Sequence, residues 1–244
     1  MDSITDKTPG NGFIGKIFDT ARLFLFSGHY GSGKSEIAVN FALEMATSHR
    51  TAIVDFDIIN PYFRTASARS VLEQKGVRVI TPVFANTNVD SPALPADIYS
   101  LFDDKGIKAV FDVGGDSAGA KAVSRYRSEF ALECVANYFV FNIRRPLTST
   151  VDQTIDIFHE IEHSAHVSFT ALIGNTNLLG QTSEADLLDG LDAAQELSKR
   201  LLLPIVFNAC MGDRDETAAP AFYKRSLDLC MPVFHLNKHI FMEY

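Results

Sequence analysis

Hydrophobic and polar positions divide the chain into short apolar runs separated by amphipathic stretches. Most runs are continuously apolar rather than alternating, which is typical of strands buried on both faces of a parallel sheet. The runs that predict strands are Leu23–Ser27, Thr51–Phe56, Val77–Val83, Lys108–Val113, Tyr138–Ile143, Phe169–Asn175 and Pro204–Ala209. Because these runs alternate with helical stretches, the pattern predicts a three-layer α/β/α fold with a mostly parallel central sheet.

The stretches between the runs carry apolar residues at helical spacing. Val151, Ile155 and Phe158 share one face of a predicted helix, behind a possible capping box of Thr150 and Gln153. A second helix is predicted behind Ser183. Its apolar positions are Leu187, Leu191, Ala194, Leu197 and Leu201.

The beginning of the chain predicts one further helix. It is indicated by apolar residues at helical spacing, namely Phe13, Ile14, Ile17 and Phe18. We assign residues 1–20 to an N-terminal extension and residues 21–244 to a single domain, because no linker or repeat interrupts the alternation.

Composition and net charge indicate which kinds of partner the protein can bind and in which cellular compartment it is found. The 244 residues are 46% apolar and carry a formal net charge of −8, which argues against nucleic acid or an anionic membrane as partner. The three cysteines are far apart, so neither a disulfide framework nor a clustered metal site is expected. Neither a signal peptide nor a membrane-spanning run is evident. We therefore expect a cytoplasmic protein.

A glycine-rich segment between the first strand and a predicted helix carries the clearest chemistry. It reads Gly28-x-x-x-x-Gly33-Lys34-Ser35, the Walker A pattern. Glycines let backbone N–H groups curl around an anion, and the helix N-terminus favours negative charge. Lys34 would reach the β- and γ-phosphates, and the Ser35 hydroxyl would bind Mg²⁺. The predicted phosphate-binding residues are Gly28, His29, Tyr30, Gly31, Ser32, Gly33, Lys34, Ser35 and Glu36.

Acidic residues at the ends of two other predicted strands supply candidate Mg²⁺ partners. Asp55 and Asp57 lie at the carboxyl end of the second run, the latter directly after it, and Asp112 lies at the end of the run that leads into Gly114 and Gly115. Mg²⁺ requires oxygen ligands, so these carboxylates suit it. Acids also favour strand ends and turns, and that alternative stays open for each of them.

The order of these motifs resembles the MinD/ParA group of P-loop ATPases, in the class of the nitrogenase iron protein and the arsenite-pump ATPase. The resemblance extends from about Leu23 to Asn208. It implies ATP and Mg²⁺ as ligands, Lys34, Asp57 and Asp112 as catalytic residues, and Ser35, Asp55 and Asp112 around the metal. It also implies that Asn175 in "LIGNTN" reads adenine, with Asn177 as a looser candidate. A turn asparagine is the alternative for Asn175.

One position departs from that group. Its deviant loop carries a lysine directly after the first glycine, and His29 occupies this position here. An imidazole is mostly uncharged at pH 7, so the lysine's action across a dimer is not carried over. Other cations are candidates to compensate, with Arg145 and Arg64 ranked first. The remaining candidates are Arg144, Arg125 and Arg127.

A second motif points to different chemistry. His159-Glu160-x-x-His163 matches the zinc-peptidase pattern, with Glu184 as a possible third ligand. The segment lies between two predicted core strands, and its apolar stripe must face the sheet. We therefore expect an exposed polar helix face and no zinc site.

Three functions fit these observations. The first is an ATP-binding switch with Mg²⁺-dependent ATPase activity, acting on a protein partner or as a homodimer. The second is a phosphotransferase related to nucleotide or polynucleotide kinases. The third is a module that binds nucleotide without turnover.

Overall fold

The computed structural model describes residues 9–56, 65–81, 97–115, 117–212 and 216–240. The strands are β1 (Leu23–Ser27), β2 (Thr51–Phe56), β3 (Arg78–Ile80), β4 (Lys108–Val113), β5 (Val135–Phe141), β6 (Ala171–Gly174), β7 (Ile205–Met211) and β8 (Val233–Leu236). They form one parallel sheet in the order β3-β2-β4-β1-β5-β6-β7-β8. β1 therefore lies near the centre of the sheet, between β4 and β5.

Helices cover both faces of the sheet. They are α1 (Pro9–Phe18), α2 (Lys34–Met45), α3 (Thr65–Gln74), α4 (Asp97–Asp103), α5 (Ser117–Ser124), α6 (Arg127–Ala131), α7 (Val151–Ala165), α8 (Glu184–Leu201) and α9 (Pro220–Asp228). Helices α1 to α3 pack on one face and α4 to α9 on the other. Within the described ranges, no helix combines the length and apolarity needed to cross a membrane. The predicted three-layer α/β/α fold is confirmed.

Both faces of the central strands are buried, which explains the continuous apolar runs. In β1, Leu23 and Leu25 pack with α4 to α9, whereas Phe24 and Phe26 pack with α1 to α3. Successive side chains of a strand point to opposite faces, so every residue of β1 must be apolar or small. Burial of a large apolar side chain contributes about 1.5–3 kcal/mol, so these rows stabilise both layers.

The predicted elements agree with the structure at most positions. The bounds of β1, β2 and β4 are those predicted, while β5 begins at Val135, three residues before the predicted start. The part of the predicted third strand beyond residue 81 lies outside the described residues. Strand β8 was missed, because its run of four residues is short. Helix α1 is confirmed, and it packs through Ile14, Ile17 and Phe18.

Two predicted helix starts are found at their expected residues. Thr150 caps α7 by accepting a hydrogen bond from the N–H of Gln153 at 3.2 Å. Ser183 caps α8, and Asp186 completes the box by accepting from the Ser183 N–H at 2.8 Å. Such caps contribute about 1 kcal/mol each.

The zinc-like motif lies on the exposed side of α7. His159, Glu160 and His163 are exposed, whereas Phe158 and Ile161 face the core. Across the described part of the chain, no group of three or more His, Cys, Asp or Glu side chains is placed to hold a metal. The exposed polar face expected from the sequence is what the structure shows.

Candidate functional site

The glycine segment forms a tight loop at the carboxyl end of β1. Gly33 is the N-cap of α2 with φ of 84°, a left-handed conformation that favours glycine. A Cβ atom at Gly33 would lie 2.1 Å from Asn175 Nδ2, and one at Gly28 would lie 2.1 Å from the Val140 carbonyl oxygen. Side chains are therefore excluded at both positions, and the main chain itself lines the loop.

The loop delivers two buried polar side chains to the first turn of α2. Lys34 is 1% exposed and Ser35 is 5% exposed. The Ser35 hydroxyl has no hydrogen-bond partner among the described residues. A Cβ atom at Gly115 would lie 2.9 Å from Lys34 Nζ, so the ammonium group reaches the loop after β4. The first N–H groups of a helix lack intrahelical acceptors, which makes this turn suited to an anion.

Two of the predicted carboxylates meet beside this turn. Asp55 of β2 and Asp112 of β4 are register partners, and each is 1% exposed. Their strand neighbours pack with α4 to α9, so alternation directs both carboxylates to the face that carries α2. Neighbouring strands are about 4.8 Å apart, which brings the two negative charges close together. The structure thus brings Lys34, Ser35, Asp55 and Asp112 to one edge of the sheet.

These residues fit a magnesium ion. Mg²⁺ commonly binds through one or two carboxylates together with waters and substrate phosphates. The Ser35 hydroxyl is a buried oxygen with no described partner, and Asp55 and Asp112 supply carboxylate oxygens. Two adjacent buried carboxylates also favour a cation, because their mutual repulsion is strong at low dielectric.

Asn175 supports the loop from the neighbouring strand end. Its Nδ2 donates to the Ser32 carbonyl oxygen at 2.7 Å, and its Oδ1 accepts from Asn177 Nδ2 at 3.4 Å. The side chain is 2% exposed. Its amide is therefore engaged within the protein, and its role as an adenine reader stays a prediction.

Glu36 directs its carboxylate away from the loop. Its oxygens accept from the backbone N–H groups of His239 at 2.6 Å and Ile240 at 3.0 Å. Burial raises the pKa of Glu36, and these donors offset part of that rise. Asn40, one turn later, exchanges two hydrogen bonds with the backbone of Asn237. The Glu36 side chain therefore holds the segment after β8, and only its backbone N–H is suited to phosphate.

The other loop residues differ in exposure. Tyr30 is 58% exposed, whereas Ser32 is buried and its hydroxyl has no described partner. His29 is half-buried, and its carbonyl oxygen accepts from the Ser32 N–H at 3.0 Å. Its Nδ1 is buried without a hydrogen-bond partner among the described residues.

The candidate arginines occupy different environments. Arg145 Nε donates to the Gly31 carbonyl oxygen at 2.9 Å, so this side chain contacts the loop. Arg144 instead pairs with Asp186 and Asp189 of α8, which raises the pKa of Arg144. Two further candidates, Arg125 and Arg127, are exposed. Two predicted residues, Asp57 and Arg64, lie outside the described residues.

A cavity of about 530 Å³ lies at the carboxyl ends of β6 and β7. Asn177, Cys210, Tyr223 and Lys238 are among its lining residues. Asn177 links it to the loop through Asn175. Lys238 was missed by the sequence reasoning. The signal was a short apolar run ending in polar residues, "VFHLNK", the same pattern that marks the other strand ends.

The chain is similar to known proteins in its structure, and no similarity was found at the level of sequence families. No family model matches the chain, and no curated protein matches it significantly. The cell division protein FtsY from Thermotoga maritima superposes with a TM-score of 0.53 and 17% identity, over 84% of this chain and 69% of that one. The signal recognition particle 54 kDa protein from Aeropyrum pernix K1, solved in complex with GDP, gives 0.50 and 14%, over 86% of this chain.

The chain spans about half the length of that second protein, of which 47% is covered. Identities this low establish the fold alone. The chain has the α/β fold of P-loop NTPases.

Proposed function

We propose that the chain binds a nucleoside triphosphate with Mg²⁺ and hydrolyses it slowly as a nucleotide-controlled switch. The observation that carries this proposal is the juxtaposition of Lys34 and Ser35 with the register-paired carboxylates Asp55 and Asp112. A glycine loop, a buried ammonium, a buried hydroxyl and two carboxylates match the requirements of a phosphate chain and its metal.

Each residue has a distinct role in this proposal. The backbone N–H groups of the loop and of the first turn of α2 bind phosphate oxygens, and Lys34 supplies a charge at the outer phosphates. Ser35, Asp112 and Asp55 hold Mg²⁺, which would neutralise phosphate charge when bound. Asp57 follows directly after β2, and we assign to it the orientation of the attacking water, as the MinD/ParA resemblance implies.

The cavity at the ends of β6 and β7 supports a site for the nucleoside. It lies on the Asn175 side of the loop and combines an aromatic ring, Tyr223, with polar groups of Asn177 and Lys238. We propose ATP as the physiological nucleotide, because "IVDFDI" resembles the MinD form. The similar 54 kDa protein was solved with GDP, so GTP belongs in the same assay.

The loop after β4 is the proposed switch segment. Gly115 lies against the phosphate loop, since a Cβ atom there would approach the Tyr30 N at 2.7 Å and Lys34 Nζ at 2.9 Å. A γ-phosphate beside Lys34 would therefore also be close to this segment. Order in that loop would depend on the nucleotide and would alter affinity for a protein partner or a second copy in the cytoplasm.

Calorimetric titration with ATP and GTP in the presence of Mg²⁺ tests binding. We expect heat with the parent and none with Lys34→Ala. Phosphate release should follow from ATP and Mg²⁺ alone, and Asp57→Ala should bind ATP without releasing phosphate.

Release that occurs only with an added hydroxyl or phosphate acceptor would indicate a phosphotransferase. Tight binding without any product would indicate a binding module. The absence of heat with both nucleotides, or an unchanged affinity of Lys34→Ala, would refute the proposal.

A further inference from the structure

Two chain neighbours, Arg144 and Arg145, have opposite electrostatic surroundings. Arg144 Nε donates to Asp186 Oδ1 at 2.7 Å, and its guanidinium also pairs with Asp189. Arg145 contacts the Gly31 carbonyl oxygen, and no carboxylate among the described residues pairs with it. The charge of Arg144 is thus neutralised within the fold. The positive charge of Arg145, by contrast, lies next to the phosphate loop.

An ordered turn presents Arg145 to the loop. Its N–H donates to the Asn142 carbonyl oxygen at 3.2 Å, and its own carbonyl oxygen accepts from the Thr148 N–H at 3.1 Å. The Thr148 hydroxyl also donates to the Asn142 carbonyl oxygen at 2.7 Å. The Asn142 amide in turn donates to the carbonyl oxygen of Asn177 at 3.0 Å. The backbone of Arg145 is therefore fixed before a ligand arrives, which lowers the entropy cost of its contacts.

Two successive carbonyl groups of the loop accept hydrogen bonds from side chains outside the loop, and Arg145 donates one of these bonds. Arg145 holds that of Gly31, and Asn175 holds that of Ser32. In a trans peptide the N–H points opposite to the preceding C=O. Holding the Ser32 carbonyl therefore aims the Gly33 N–H in the opposite direction. Holding the Gly31 carbonyl fixes the peptide whose N–H closes the turn onto His29.

We propose that Arg145 is a positioning residue of the phosphate loop and the second cation of the phosphate site after Lys34. This inference depends on the proposed function, since it requires a phosphate chain in the loop. A nucleoside triphosphate brings several negative charges beside two buried carboxylates, and Lys34 supplies one positive charge against them. Arginine has five N–H donors, and the described side-chain contact uses one of them.

Nucleotides of increasing phosphate number test this role. AMP, ADP and ATP with Mg²⁺ are titrated calorimetrically into the parent, into Arg145→Ala, Arg145→Gln and Arg145→Lys, and into the matched control Arg144→Ala. We expect Arg145→Ala to raise the Kd for ATP about tenfold or more, corresponding to about 1.4 kcal/mol, with a smaller loss for ADP and little for AMP.

The conservative variants separate charge from shape. Arg145→Lys should recover most of the ATP affinity and Arg145→Gln should not, and the loss should shrink as salt is raised. Arg144→Ala should leave the Kd for all three nucleotides within about threefold while lowering the melting temperature, because its ion pairs connect the turn after β5 to α8. Arg145→Gln has nearly the same shape as the parent and serves if the alanine variant unfolds.

Two results would overturn the inference. If the parent binds ATP and both Arg145→Ala and Arg145→Gln bind it with the parent's affinity, Arg145 has no role at the site and the proposed function stands. If the affinities for AMP and ATP fall by an equal factor, Arg145 is not the second cation of the site, since a charge effect must grow with phosphate number; the proposed function stands in that case too. If the parent binds no nucleotide, both proposals fail together.

Discussion

Replacement of Gly33 by alanine tests whether the loop needs a glycine at this position, for its backbone conformation and for the space beside it. Gly33 has φ of 84°, and a Cβ atom there would lie 2.1 Å from Asn175 Nδ2. Gly76, in the turn between α3 and β3, has nearly the same φ of 78°, but nothing lies within 4 Å of its Cβ position. The Gly76→Ala variant is therefore a matched control that carries the conformational cost without the steric one.

The expected magnitudes follow from these two terms. A left-handed conformation costs about 1–2 kcal/mol for alanine, and this term applies to both variants. The effect of alanine on the unfolded chain is also shared. Only Gly33→Ala must displace the Asn175 amide from the Ser32 carbonyl, which leaves buried groups unsatisfied and adds about 1–3 kcal/mol. The expected decrease in the free energy of unfolding is therefore about 3–4 kcal/mol for Gly33→Ala and about 1.5 kcal/mol for Gly76→Ala.

Thermal unfolding followed by circular dichroism measures the difference. At about 2–4 °C per kcal/mol for a chain of this size, we expect the melting temperature to fall by about 10 °C for Gly33→Ala and about 5 °C for Gly76→Ala. ATP affinity should fall at least about tenfold in the first variant only. Equal shifts in melting temperature, together with the parent's ATP affinity in Gly33→Ala, would refute the steric reasoning.

Three further predictions concern single side chains. Asn175→Ala should weaken ATP and GTP binding about tenfold each, since one loop hydrogen bond is lost; a loss confined to ATP in calorimetry would instead indicate base reading. Ser35→Ala should reduce ATP affinity in Mg²⁺ and leave it unchanged in EDTA, and an equal loss under both conditions would contradict a metal role. Hydrogen bonds from Ser183, then Arg144, lower the pKa of Asp186 to about 2. The ionised carboxylate therefore stabilises the fold above its unfolded pKa, near 3.9, and this stabilisation is lost as the pH falls toward 2. Asp186→Asn should melt at a lower temperature than the parent at pH 7, and the gap should close between pH 4 and pH 2; a gap independent of pH would show that ionisation is irrelevant.

Local sequence predicted those features of the site that depend on covalent neighbours. Lys34 and Ser35 follow the glycines directly, so the strand, loop and helix that hold them are contiguous in the chain. The continuous apolar runs predicted a sheet buried on both faces, because a parallel sheet between two helix layers leaves no polar side. The caps at Thr150 and Ser183 were predictable for the same reason, since a cap involves residues three positions apart.

Contacts between side chains and residues distant in the sequence could not be predicted from local sequence patterns. The backbone of Glu36 is part of the predicted loop, but its carboxylate binds amides of His239 and Ile240, about two hundred positions later. The short run of β8 gave too weak a pattern to predict that this segment returns to α2. Its Lys238 and the cavity it lines were missed with it.

The sequence by itself determined the glycine loop, the class of the fold and the acids at the strand ends. The tertiary structure brought two of those acids together, because the strand order places β2 beside β4 and so pairs Asp55 with Asp112. It also gave Arg144 and Arg145 different partners, which their adjacent positions in the sequence do not reveal. Adjacent side chains after a strand point in different directions, so segments distant in the chain supply their partners. Arg144 meets two carboxylates of α8, and Arg145 meets a carbonyl oxygen of the glycine loop.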